Sequence, residues 1–332
     1  YRKLLRERLA AADRGEAGAP APVGPGEPPV GSRAAPAGPG VRVLWTLEVR
    51  PPPGAFFRRI LGTTFISFDQ RGRVHLRDLA SEETFRGPGW IDFVPTPDGR
   101  LFVTPARGEA GLEFYGAGEV FARGREGGAT GVRPLFTDGE MADQYPSAGI
   151  LEADPAEART RYRILVSWFS GLAFRDYEVR WPEAGRPAVE PLTPKLEGCP
   201  GMELSTPMLS RDGRELAARD EETGTTKVFR LADDGRCREL FDLGRQTSKV
   251  GFSDDGRLLA FSSPDPAFTG RGVRSTTWVL DREARRTVAV PHSASAGLVI
   301  PEVVGADSLL IAVREDARSG AAEFRLLCCV GG

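Results

Sequence analysis

Histidine is nearly missing from this chain: His75 and His292 are the only two among 332 residues. A zinc or iron site built on several imidazoles therefore cannot be assembled within it. A Ser-His-Asp triad would have to recruit one of the two, and no Gly-x-Ser-x-Gly elbow is present to carry its nucleophile. The nearest look-alike, Ser170 in Trp168-Phe169-Ser170-Gly171, reads better as a strand-to-strand turn. Asparagine is absent and lysine is confined to Lys3, Lys195, Lys227 and Lys249, so arginine carries almost all the positive charge. Both facts read as a bias toward GC-rich codons, hence a bacterial source, and not as a functional signal. The 44 basic and 46 acidic residues nearly cancel, which leaves no field of one sign to attract nucleic-acid phosphates or an anionic membrane surface. No run of about 18 apolar residues occurs, so no segment is expected to cross a bilayer as a helix. The chain begins at Tyr1 and not at methionine, which suggests that a segment was removed ahead of it; the sequence does not say whether that segment was a secretory signal or a lipid-modified N-terminus.

Cysteine is scarce as well: Cys199, Cys237, Cys328 and Cys329. Cys199 precedes a run of β-like segments and Cys237 opens the last of them, so a bridge between the two could staple one sheet and would imply an oxidising compartment. The competing reading is two buried free thiols. The adjacent pair Cys328-Cys329 reads as strand packing, with a vicinal disulfide or a bridge to a partner as the sharper and weaker alternative.

What the chain has instead is a phrase written twice, Pro207-Met208-Leu209-Ser210-Arg211-Asp212-Gly213-Arg214-Glu215-Leu216-Ala217 and Val250-Gly251-Phe252-Ser253-Asp254-Asp255-Gly256-Arg257-Leu258-Leu259-Ala260. Asp212 and Asp255 are 43 residues apart, inside the roughly 40–45 residue period of a four-stranded propeller blade. An apolar strand enters an Asp-Gly hairpin turn and an apolar strand leaves it, with positive φ angles expected at the dipeptide. One blade reads as 206–209, 215–219, 226–231 and 237–242. The next reads as 249–252, 258–262, 276–281 and 287–290, with an expanded loop over 263–275. The phrase recurs more faintly over 91–103, around Asp98-Gly99. Segments 147–151, 163–168, 172–181 and 188–191 supply a further blade. At the ends, 64–69 with 73–79, and 302–304, 309–313 and 323–328, open and close the series. The last blade lacks a fourth strand and 41–49 is a strand without a sheet, so the N-terminal strand is expected to close a ring of six blades. No helix of convincing length is expected after residue 41.

The Ser-Arg-Asp-Gly-Arg and Ser-Asp-Asp-Gly-Arg phrases, each followed by an apolar strand and then by Thr226-Lys227-Val228-Phe229-Arg230 or Thr276-Thr277-Trp278-Val279-Leu280, resemble the WD40-like PD40 repeats of TolB-type β-propellers. The resemblance is good over 203–290, faint at 91–103 and architectural elsewhere. It implies an all-β, six-bladed propeller, often periplasmic, that works by binding other proteins. It transfers no catalytic residue, because the repeated Ser, Asp and Gly are parts of turns.

Ahead of the propeller, residues 1–17 carry helix formers with Leu4, Leu5 and Leu9 at helical spacing, and residues 18–40 are almost wholly Ala, Pro and Gly. The first reads as a short amphipathic helix and the second as a linker, a tether for a contact distant from the folded body.

Within the propeller, Asp92, Asp143, Glu203 and Glu302 stand near the starts of inner strands, where carboxylates could reach a central channel. A calcium or magnesium site from them is the weaker reading, and the absence of asparagine weakens the analogy with metal-dependent propeller hydrolases. Asp233-Asp234-Gly235 and Asp254-Asp255-Gly256 lack the other ligands of a calcium loop and read as turns. No cofactor is expected. The connections Met141-Ala142-Asp143-Gln144-Tyr145-Pro146-Ser147 and Cys199-Pro200-Gly201-Met202-Glu203-Leu204-Ser205 place methionine, tyrosine and carboxylates where loops converge, so Met141, Tyr145, Met202 and Glu203 are the candidate partner-binding residues. Trp168 and Trp181 are expected to fill core between blades. The sequence thus points to a non-catalytic interaction or scaffold subunit of a bacterial envelope complex. A propeller enzyme, either a metal-dependent hydrolase or a peptidase-associated propeller, is the alternative, and an accessory subunit of a membrane-bound electron-transfer assembly is a third reading.

Overall fold

The repeated phrase folds the same way at three places. In the first, Ser210 Oγ donates to Asp212 Oδ1 at 2.5 Å and accepts the amide of Glu215 at 2.8 Å, while Asp212 Oδ1 accepts the amide of Arg214 at 3.1 Å. Ser253 and Asp255 repeat the three bonds at 2.6, 2.8 and 3.0 Å, and Thr96 and Asp98 at 2.6, 3.1 and 3.2 Å. The glycine that follows each aspartate is left-handed, with φ of 69° at Gly213, 71° at Gly256 and 73° at Gly99. The aspartates are not, which corrects the expectation of positive φ across the dipeptide. Gly213 N–H bonds to Ser210 C=O at 3.0 Å and Ser210 N–H to Glu215 C=O at 2.8 Å, so the loop is four residues long. A loop of that length is built around an ordinary type I turn and needs the left-handed conformation only at its glycine.

The computed structural model describes residues 94–106, 111–125, 131–141, 146–168, 171–247, 249–253, 255–264 and 275–290, together with the strand backbone of 42–49, 55–61, 64–69, 74–78, 84–86, 298–304, 308–314 and 322–328. The expected helix at 1–17, the linker at 18–40 and most of the 263–275 loop lie outside them. The chain is all-β in its sheets, and among the described residues these are antiparallel and follow one another in chain order. The first sheet holds Ala55–Leu61, Thr64–Asp69, Val74–Asp78 and Thr84–Arg86; the second Val94–Pro95, Leu101–Pro105, Leu112–Gly116 and Phe136–Asp138. The third holds Pro146–Asp154, Arg159–Trp168, Gly171–Arg180 and Ala188–Pro191, with Leu196–Gly198 also paired to Gly171–Arg180. The fourth holds Leu204–Leu209, Glu215–Asp220, Thr226–Leu231 and Cys237–Asp242; the fifth Lys249–Phe252, Leu258–Pro264, Ser275–Asp281 and Arg286–Val290. In the sixth, Leu298–Val304, Ser308–Arg314 and Ala322–Cys328 are completed by the N-terminal strand Arg42–Val49, which runs antiparallel to Ala322–Cys328. Successive four-stranded meanders, each packed on the next, are the blade architecture of a β-propeller.

The second sheet interrupts this pattern with a helix, Ala117–Arg125, between its last two strands. Ala117 and Val120 are buried and Phe121 meets the edge of Phe102 with ring centroids 5.7 Å apart, while Gly118, Ala122 and Arg123 face solvent. Three apolar side chains at helical spacing suffice here because the sheet supplies the packing.

Buried side chains fill the spaces between sheets as well as within them. One cluster joins the second and third sheets through Val103, Phe114, Met141, Ile164, Tyr177 and Val179; another joins the third and fourth through Leu165, Phe174, Cys199, Leu204, Leu216 and Phe229. Each such Leu, Phe or Val removed from water contributes about 1.5–3 kcal/mol, so the blades are held to one another chiefly by apolar burial.

Candidate interaction face at the junction of the third and fourth sheets

The third and fourth sheets touch backbone to backbone. A Cβ placed on Gly149 would lie 2.4 Å from the Cα of Gly213, so glycine is required where the inner strand of the third sheet meets the Asp-Gly turn of the fourth. The amide of Ile150 then reaches the carbonyl of Arg211 at 2.6 Å, and Ser147 Oγ accepts the amide of Leu209 at 2.9 Å. The repeated turn thus does two jobs, closing its own hairpin and pinning its sheet to the one before.

A buried charge cluster reinforces the contact. Arg163, on Arg159–Trp168, is fully buried, and its guanidinium binds Asp176 through two bonds of 2.7 and 2.9 Å and Asp233 at 2.8 Å. Asp233 belongs to the far hairpin of the fourth sheet, and Phe174 lies under the cation at 4.6 Å. Burial works against the charged form of Arg163, but the two carboxylates outweigh it and hold the group more firmly protonated than an arginine in water. Between the second and third sheets, Asp138 plays the converse part. It accepts from Arg175 at 2.8 Å and from the Tyr177 hydroxyl at 2.6 Å, and Arg175 also meets Glu140. Desolvation would raise the pKa of Asp138; the bonds from Tyr177 and Arg175 overcome it and hold the carboxyl below its ordinary range. Burial and the neighbouring carboxylate push the Tyr177 hydroxyl far above its ordinary value, so it stays a donor. Tyr162 donates in the same way to Asp98 Oδ2 at 2.6 Å, using the oxygen that the second sheet's turn leaves over.

On this junction sits the connection 199–203. Cys199 and Cys237 form a disulfide with their Cα atoms 4.8 Å apart, which ties the exit of the third sheet to the outermost strand of the fourth. The Cys199 amide also bonds to the carbonyl of Gly235 at 2.9 Å. Cys199 has a left-handed φ of 55° and Gly201 of 77°, and the Met202 amide closes the turn on the Cys199 carbonyl at 3.1 Å. Pro200 at the second place of the turn and glycine at the third suit this geometry; the cysteine does not, and a left-handed β-carbon costs of order 1 kcal/mol. The turn is fixed by a disulfide, two backbone bonds and a proline. What it displays is Met202, 40 % exposed, one of the two large apolar side chains found exposed among the described residues; the other is Leu192. Glu203 follows, also exposed, and its carbonyl takes the amide of Glu221, another exposed residue, at 2.9 Å.

The structure corrects one candidate outright. Met141 is not exposed for a partner but fully buried in the core between the second and third sheets. It directly follows the Asp138–Glu140 segment that Arg175 grips, and that grip turns it inward. Tyr145, Asp143, Asp92, Ser170 and His292 lie outside the described residues, as does the side chain of Glu302, whose backbone belongs to Leu298–Val304. Glu203 is in the exposed connection. Among the described residues no three metal-ligating side chains come together. Trp181 packs against the core, with Arg100 stacked on it at 3.6 Å and its Nε1 donating to Thr160 at 3.2 Å. Sequence reasoning missed Arg163 and Arg175, since an arginine within a strand reads as part of a solvated face, and Arg282, since an arginine in the hairpin after Ser275–Asp281 reads as a solvated turn residue. The usable signal was Asp or Glu at the matching place on a neighbouring strand, as in Asp176 opposite Arg163.

No protein-family model matches the sequence, and among curated proteins none matches it. Many solved structures are similar to this chain. The Cps50 (Swd1) β-propeller domain of Myceliophteria thermophila aligns over 84 % of this chain and 99 % of its own, with 12 % identity and a TM-score of 0.49. A putative TolB from Agrobacterium tumefaciens aligns over 80 % of this chain and 86 % of its own at 15 % identity and a TM-score of 0.41. Hydrazine synthase from Kuenenia stuttgartiensis aligns over 80 % and 76 % at 15 % identity and a TM-score of 0.45.

Proposed function

We propose that this chain is a non-catalytic interaction subunit of a bacterial envelope complex, in which residues 41–332 form a six-bladed propeller resembling TolB. The sixth sheet, which takes one strand from the N-terminal end and three from the C-terminal end, supports the closed ring. The Cys199–Cys237 disulfide supports an oxidising compartment, the periplasm in a Gram-negative cell. No helix among the described residues is long and apolar enough to cross a membrane. On this reading the partners are other proteins of the envelope, reached through the propeller's loops and through the N-terminal segment on its 18–40 tether.

The observation that carries this reading is the turn Cys199–Met202. A rigid, disulfide-anchored turn with a left-handed cysteine holds an exposed methionine, followed by the exposed Glu203. A preorganised apolar side chain loses little conformational freedom on binding, and methionine adapts to the partner's shape. Co-purification from native membranes tests it. Met202→Asp is expected to deplete specific co-purifying proteins at least tenfold, while Glu283→Arg, on the exposed hairpin of the fifth sheet, leaves them in place. Equal recovery with both variants would remove the assignment of the face.

A further inference from the structure

We infer that the fourth and fifth sheets hold between them a binding site for an oxyanion, a carboxylate or phosphate group, gripped by Arg219 and Arg245. The site is independent of the Met202 face and of any partner protein.

The strand Glu215–Asp220 turns alternate side chains toward its two neighbouring sheets. Leu216 and Ala218 belong to the cluster shared with the third sheet, whereas Ala217 belongs to the cluster shared with the fifth, together with Val228, Val250, Phe261 and Trp278. Arg219 follows Ala217 on that second face. In register it stands directly between Ser205 and Thr226, and the β-carbons of residues so opposed lie about 4.5–5.5 Å apart. Thr226 is 3 % exposed, and its amide bonds to the carbonyl of Arg245 at 3.0 Å. Arg245 faces the fifth sheet as well, its guanidinium carbon 4.2 Å from the centre of the Trp278 ring. Two arginines therefore flank one buried threonine on the same face of the fourth sheet.

What this group offers is donors, with no charge of opposite sign. Neither guanidinium is held by a carboxylate among the described residues, and the Nε of each is buried without a hydrogen bond. Arg161 and Arg175 also bury an unbonded Nε, but their terminal nitrogens reach Glu152 at 3.3 Å and Asp138 at 2.8 Å. Glu215, on the same face as Arg219, is four residues away, about 13 Å along the strand, and is already taken by Arg282 at 2.7 Å. Lys227 and Asp220 pair with each other on the opposite face. Between the arginines, Thr226 Oγ1 accepts the amide of Thr247 at 3.1 Å and shares a single bond with Thr247 Oγ1 at 3.0 Å. Two hydroxyl hydrogens serve that one bond, so one of them has no acceptor among the described residues. Partly buried cations without a counter-charge are unfavourable, and two on either side of one residue also repel each other. An oxyanion between them removes both defects. The donor forks of arginine match the oxygens of a carboxylate or phosphate two at a time, and stacking on Trp278 fixes the plane of one fork beforehand.

Equilibrium dialysis of the full-length protein against labelled inorganic phosphate and, separately, labelled succinate tests this at an ionic strength held constant with chloride. Saturable binding of one anion per chain is expected, and the tighter of the two assigns the natural group as phosphate or carboxylate. Arg219→Gln and Arg245→Gln are each expected to weaken it about tenfold. Arg238→Gln, at an exposed position on the outermost strand of the fourth sheet, should leave it unchanged. Where a glutamine variant loses the cooperative thermal transition, Arg219→Lys or Arg245→Lys replaces it; the charge stays, the fork is lost, and binding should weaken about threefold. No saturable uptake of either anion, or uptake that the Arg219 and Arg245 variants retain in full, would overturn the proposal.

Discussion

Two arginines clasp the fourth sheet, one from each side, and they are built differently. Arg163 reaches over from the third sheet with its side chain 1 % exposed, its guanidinium shared between Asp176 and Asp233. Arg282 reaches back from the fifth sheet with its side chain 26 % exposed; it holds Glu215 at 2.7 Å, the carbonyl of Gly256 at 2.9 Å, and lies over Phe241. The first junction adds a disulfide and a glycine-to-glycine contact. The second has neither among the described residues: a Cβ on Gly256 would meet nothing closer than the Arg282 side chain at 3.8 Å. One junction is rigid by several independent devices and the other by apolar packing with a partly exposed ion pair. The rigid one also displays the exposed methionine, as expected of a surface that recognises a partner in a fixed shape.

The sharpest way to break this contrast is Gly149→Ala. The new methyl would overlap the backbone of Gly213, which cannot rotate away, so loss of the cooperative thermal transition is expected. Gly139→Ala, with nothing within 4 Å of the new methyl, should shift the midpoint by no more than a degree or two. Next comes Arg163→Ala, which leaves the buried Asp176 without its cation; denaturant titration should show a loss of about 3–5 kcal/mol. Replacing Cys199 and Cys237 together by serine releases a 38-residue separation and should cost about 2–4 kcal/mol. Arg282→Ala, partly solvated and with Arg230 still 3.8 Å from Glu215, should cost only about 1 kcal/mol.

A pH dependence follows from Asp138. Its folded pKa lies below the unfolded value, so its contribution is complete above the ordinary carboxylate pKa of about 3.9 and is lost as pH falls through the folded value. Stability measured by denaturant titration between pH 5 and pH 2 should decline in wild type and decline less steeply in Asp138→Asn.

Much of the blade pattern was legible because the repeated turn fixes it. The strands Thr226–Leu231, Cys237–Asp242 and Lys249–Phe252 fall where alternation and the Ser-x-Asp-Gly turns put them. Ala55–Leu61 was hidden behind Pro51-Pro52-Pro53, and the helix Ala117–Arg125 behind Gly118, Gly124 and its own shortness. The site was read less well, for a physical reason. Arg159, Arg161 and Arg163 alternate along one strand as a solvated face would, yet Arg163 alone is fully buried, because the fourth sheet closes over that end of the row. Met141 and Met202 both precede the first strand of a sheet, and only tertiary packing turns the first inward and leaves the second outside. The turn at Cys199 needed the left-handed cysteine, which no local pattern announces.

The most direct measurement is photo-crosslinking in cells of the native source, with the reactive residue at position 202 in one strain and at position 283 in another. Discrete products with other envelope proteins are expected from 202 and not from 283, and they should disappear when Cys199 and Cys237 are both serine. Products of equal yield from both positions, or none from 202 while 283 captures a partner, would contradict the assignment of the third–fourth junction as the face that partners read.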